Sequence, residues 1–162
     1  MSRVIGGRNR AWGWTLIELS IVLFVIALLS AFAIPSYREQ VARGHRLAAV
    51  DTLQAMALMA ESVCVHDVAK RAVGRYTKLA DRFVPPNGAP MYRVTMVPGA
   101  HRIGGVVMQG YVLQATPLRT GPRANDACGT FVLDATGARL NQHAGGKWLS
   151  DAESCWRGGR AP

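Results

Sequence analysis

The stretch Trp14–Ile34, WTLIELSIVLFVIALLSAFAI, decides how this chain is built. Its 21 residues carry one charge, Glu18. As a helix rising about 1.5 Å per residue it would be about 31 Å long, close to the roughly 30 Å hydrocarbon core of a bilayer. One membrane span is therefore expected. A carboxylate inside such a span costs several kcal/mol unless it finds a partner, which makes Glu18 a functional candidate. Upstream, residues 1–13 hold Arg3, Arg8 and Arg10 and no acid, the make-up of a targeting segment rather than of a folded one.

Downstream, Pro35 removes one backbone donor and should kink or locally break the helix, yet the residues from Ser36 to His66 are again helix formers. Val50, Leu53, Ala57, Ala60 and Cys64 recur at steps of three and four while Arg46, Asp51 and Glu61 fall elsewhere, the pattern of an amphipathic second half. Residues 67–90 end in Pro85, Pro86, Asn87, Gly88 and Pro90 and read as a connecting loop. Beyond it, residues 91–97, 105–116, 129–134 and 138–141 are β-branched and aromatic runs bounded by Pro and Gly, which predicts an antiparallel sheet of three or four strands. The fold class is thus α+β.

Length and composition suit one small head: 162 residues, 49% hydrophobic. The formal charge is +9, or +6 if the three leader arginines depart, and a basic balance suits anionic partners without fixing a mechanism. Three cysteines, Cys64, Cys128 and Cys155, allow at most one internal bridge. No CxxC and no Cys/His cluster at zinc spacing occurs, so no metal and no cofactor is expected. His45, His66, His101 and His143 are scattered without a paired carboxylate, and Cys64 and His66, two apart on a helix, face different ways. No catalytic constellation follows, and the chain is not expected to be an enzyme.

Gly13-Trp14-Thr15-Leu16-Ile17-Glu18 resembles the type IV prepilin processing site. Counting Trp14 as the first mature residue puts Glu18 fifth and Pro35 twenty-second, as in that family, whose usual Phe is here the equally aromatic Trp14. The segments 110–117 and 128–134, with Gly137 and Cys155-Trp156-Arg157, look like PilE-type minor pilins. The resemblance implies a type IV pilin fold: a long N-terminal helix packed on an antiparallel sheet of about four strands, with a disulfide-bounded C-terminal region. It implies a cleaved leader at 1–13, a transmembrane or filament-core helix at 14–41 and a globular head at 42–162. It also implies cleavage after Gly13 by a prepilin peptidase and methylation of the Trp14 amine. Glu18 would pair with that amine on a neighbouring subunit, and Pro35 would let the helix adjust as subunits leave the membrane. Position favours a Cys128–Cys155 bridge, since one precedes a strand and the other lies near the C-terminus in an oxidising compartment, and bridged pilin C-termini agree. Cys64 is read as a buried small hydrophobe.

The implied partners are other pilin subunits, the peptidase, the inner-membrane assembly machinery and, before assembly, the inner membrane of a Gram-negative bacterium. The head would be periplasmic and later extracellular on the pilus. The roles implied are adhesion, twitching motility and DNA uptake. Lys70, Arg71, Arg75 and Lys78, with Tyr76 among them, form the densest basic stretch, and Arg119 and Arg123 a second. Cations beside an aromatic suit DNA phosphates and a stacked base. The plainer reading, a solvated face meeting acidic neighbours in a filament, is the one favoured from sequence. Alternatives are a secretion or competence pseudopilin, a DNA-binding pilin receptor, and an ordinary secreted protein cut after Ala31-Phe32-Ala33.

Overall fold

The computed structural model describes residues 15–66, 76, 78–99, 101–103, 106–108, 110–150 and 152–159, with backbone alone at 63–66, 101–103 and 106–108. The chain divides into two compact units, Met1–Glu39 and Gln40–Pro162. A single helix, α1 (Leu16–His66), contributes to both. Pro35 lies inside it and does not end it, so the amphipathic half continues the same helix, as expected. A proline costs a helix one backbone bond, and good helix formers on both sides keep the remainder in register.

In the second unit the strands are β1 (Arg82–Val84), β2 (Tyr92–Pro98), β3 (His101–Ile103), β4 (Val106–Met108), β5 (Tyr111–Pro117), β6 (Thr130–Asp134) and β7 (Arg139–Gln142), followed by the short helix α2 (Glu153–Trp156). The main sheet is antiparallel in the order β1-β2-β5-β6-β7, and β3 pairs β4 in a separate hairpin. Five strands stand where three or four were expected. The extra edge strand β1 lies in the stretch read as loop; it turns only Val84 inward and runs straight into Pro85, so it leaves almost no pattern. The expected strand at 105–116 is two, because Gly110 sits at φ +113° and a Cβ there would meet the Ala135 Cβ at 2.7 Å. The Gly99 N–H closes the neck of the outer hairpin on the Gly110 carbonyl at 2.7 Å.

Strand alternation places Tyr92, Val94 and Met96 of β2, Leu113 and Ala115 of β5, and Phe131 and Leu133 of β6 on the face that packs against Ala49, Val50, Leu53, Met56 and Ala60 of α1. Leu53 and Phe131 are completely buried, and each such side chain contributes about 1.5–3 kcal/mol by leaving water. Val112 and Val132 occupy the opposite face, where Leu140 and Trp148 cover them. That second cover explains why β5 and β6 are buried on both sides and fail to alternate cleanly. Edge-on contact with Phe131 at 5.6 Å between centroids fixes the buried Trp156 of α2 under the sheet end.

Candidate functional site

In the first unit the apolar residues of α1 have no cover. From Thr15 to Arg38 every residue except half-buried Ser30 is exposed, with Leu16 at 85% and Phe32 at 80%. This is the helix among the described residues that is long and apolar enough to cross a membrane. Its first turn is capped by Thr15, whose Oγ1 accepts the Glu18 N–H at 3.2 Å. The exposed Glu18 carboxylate therefore sits in the first turn, where the helix dipole favours an anion. Gly13 and Trp14 lie outside the described residues.

In the second unit, Cys128 and Cys155 are bonded, with Cα atoms 5.7 Å apart. Their bridge ties the loop before β6 to α2, the C-terminal staple expected. The Cys64 side chain lies outside the described residues. Next to the bridge is an ion pair that sequence reasoning missed. Arg46, expected on the polar face of α1, is 4% exposed, and its Nε donates to both oxygens of Asp126 at 3.1 Å. Asp126 accepts further bonds from the Tyr92 hydroxyl at 3.0 Å and the Cys128 N–H at 2.8 Å. Arg46 Nη1 reaches the Gly159 carbonyl at 2.7 Å. One guanidinium thus joins the helix, the sheet, the disulfide loop and the C-terminal tail. The signal was present: Ala42, Arg46, Ala49, Leu53, Met56 and Ala60 follow steps of four and three, so position 46 falls on the core stripe. A cation there needs a buried carboxylate.

Burial and the neighbouring Asp126 carboxylate both push the Tyr92 hydroxyl far above its ordinary pKa. Tyr111 is displaced the same way by burial and by Glu61. His45, half-buried on α1, is lowered by burial and by the charge of Arg123.

Of the basic stretch singled out above, Lys70, Arg71 and Arg75 lie outside the described residues, and Lys78 is exposed. Tyr76 is not an open stacking platform. Its ring meets Tyr111 edge-on at 4.8 Å and its hydroxyl donates to Glu61 at 3.3 Å, so it belongs to the rim of the core. Arg93 is held by Asp81 at 2.6 Å. The second basic group is better placed. Arg119 is exposed on the β5–β6 loop and lines a half-open groove of about 480 Å³ between that loop and the turn after β7, with Asn125, Thr130 and His143. Among the described residues no cluster of three metal-ligating side chains is found.

Comparison with known proteins bears chiefly on the second unit. Residues 35–132 match the family model described as "Type IV minor pilin ComP, DNA uptake sequence receptor". Two fimbrial proteins of Pseudomonas aeruginosa are each 46% identical over 50 residues, which is 31% of this chain and 32% of the relative. The chain thus matches about a third of the length of these curated relatives. No solved structure matches it. The family match covers more than half of the chain and includes α1 from Pro35 onward, the sheet as far as β6 and Cys128, and on that ground this chain belongs to the type IV minor pilin family described as ComP, DNA uptake sequence receptor.

Proposed function

We propose that the chain is a minor subunit of a type IV pilus with a part in DNA uptake, made as a precursor that loses residues 1–13 and keeps its hydrophobic helix. A prepilin peptidase cuts after Gly13 and methylates the Trp14 amine. Residues 14–41 hold the protein in the inner membrane with the head, 42–162, in the periplasm of a Gram-negative cell, until the assembly machinery moves it into the filament beside other pilin subunits. No reaction is assigned to it, since the family is a structural one. The observation that carries this reading is that the large apolar side chains of α1 in the first unit are exposed, while the second unit has a core of its own. Such a surface demands either lipid or the helices of other subunits.

Glu18 tests the assembly step. Removing a charge from an apolar span eases insertion, so Glu18→Ala should enter the membrane and be processed. Leaving a neighbour's methylated amine without its buried partner costs about 3–5 kcal/mol. That is over about a hundredfold per docking step. Fractionation with immunoblotting should find the variant processed in the membrane and depleted from sheared filaments, with Glu18→Asp intermediate. Normal recovery of Glu18→Ala in filaments would remove the role given to this residue.

A further inference from the structure

The groove between the β5–β6 loop and the turn after β7 has an unusual floor. Asp126 is the one carboxylate among the described residues that line it, and it lies within a few residues of both cations of the loop, Arg119 and Arg123. Unanswered, that carboxylate would draw the two arginines inward and make the groove neutral or acidic. It is answered from behind. Arg46 holds both of its oxygens at 3.1 Å, and Tyr92 and the Cys128 N–H complete its shell. Arg123 also pairs with Asp126, at the longer distance of 4.0 Å, and keeps a fifth of its side chain exposed. Arg119 is exposed and has no carboxylate partner among the described residues.

We infer that this groove receives a DNA phosphate, and that Arg46, buried behind it, is the positioning residue that keeps Asp126 from cancelling the groove's cations. The inference rests on the DNA-uptake reading above. With the Arg46 and Asp126 charges cancelled against each other, the charges left to act on a ligand are those of Arg119 and Arg123. Asn125 and Thr130 add neutral donors within the same groove. A duplex offers one negative charge per roughly 1.7 Å, so the exposed Arg119 guanidinium on the groove meets phosphate at almost any register, while Arg123, four-fifths buried beside Asp126, adds its charge from behind the lining. Such contacts orient a duplex without reading its sequence.

Opposite charge changes at the buried pair separate this role from simple stabilisation. The full chain in detergent micelles is titrated with a fluorescent DNA duplex at several salt concentrations, at a temperature where circular dichroism shows every variant folded. Arg46→Met removes the nearest cation from the Asp126 carboxylate, leaving its charge to be met by Arg123 and the groove, and should weaken binding; Asp126→Asn leaves an extra cation behind the groove and should strengthen it. Both remove half of a buried pair and both lower stability, so a purely structural role moves both affinities downward. Arg119→Gln, at an exposed position that leaves the fold intact, should lower the slope of log affinity against log salt by about one. That change corresponds to about 3.5-fold less loss of binding between 50 and 200 mM salt than in the wild type, counting about 0.9 of slope per phosphate. Shifts in the same direction for Arg46→Met and Asp126→Asn, or an unchanged slope for Arg119→Gln, would overturn the inference while wild-type binding keeps the DNA reading. If the wild-type chain shows no salt-dependent binding at all, the DNA reading itself fails, and this inference with it.

Discussion

Arg46→Met should make the head markedly easier to unfold. The Asp126 carboxylate is fully covered and accepts four hydrogen bonds, two of them from the guanidinium. Methionine preserves much of the apolar stem but leaves a buried anion with two neutral donors and Arg123 at 4.0 Å. Breaking a buried pair by removing one partner costs about 3–5 kcal/mol, and the lost bond to the Gly159 carbonyl adds about 1 kcal/mol. At roughly 3–5 °C per kcal/mol for a unit of this size, the midpoint of thermal unfolding should fall by about 12–30 °C. Arg46→Met combined with Asp126→Asn should recover at least half of that loss, because no charge is then stranded and the amide still meets Tyr92. Thermal unfolding of the three proteins, followed by near-ultraviolet circular dichroism, measures both quantities. A single variant within about 1 kcal/mol of wild type, or a double variant worse than the single, would refute the reasoning.

Reducing the Cys128–Cys155 bridge, which closes a sequence separation of 27, should lower stability by about 3–4 kcal/mol, and peptide mapping without reduction should recover that pair with Cys64 as a thiol. Tyr92 and Tyr111 have folded-state pKa values raised above the ordinary 10.0. The unfolded chain therefore loses these protons first, and stability should fall as pH rises past 10.0, a loss that Tyr92→Phe reduces; tyrosinate absorbance during alkaline unfolding checks it. His45 is shifted the other way, below 6.5, so the unfolded state binds the proton more readily and stability should decline as pH falls through 6.5; His45→Gln should flatten that slope.

What could be read from the chain divides along physical lines. The exposed apolar run, the Pro35 position, the amphipathic half of α1 and strands β2, β6 and β7 each leave a periodic or compositional trace, and the structure places them where that trace does. Strand β1 leaves none, because three residues with one side chain turned inward cannot show a period, and its identity comes from pairing with β2 across residues 85–91. The division at Gly110 depends on close approach to Ala135, a contact between residues 25 apart in sequence. Arg46 lies on the core stripe by its spacing, while its charge alone points to the solvent face, and the buried Asp126 that decides between them is 80 residues away in sequence. Tyr76 shows the converse: an aromatic among cations suggests a stacking surface, but Tyr111 and Glu61 claim it first.

The account stands most directly on one measurement, the intact mass of this subunit recovered from sheared filaments. Cleavage after Gly13 with methylation predicts a mature chain that begins at Trp14, lacks the mass of residues 1–13 and carries one added methyl group and, before reduction, one disulfide. The same species should be found in the inner membrane before assembly. A mature chain beginning at Ile34, or a processed head found only as soluble protein and never in the filament fraction, would contradict the reading of the chain as a pilus subunit.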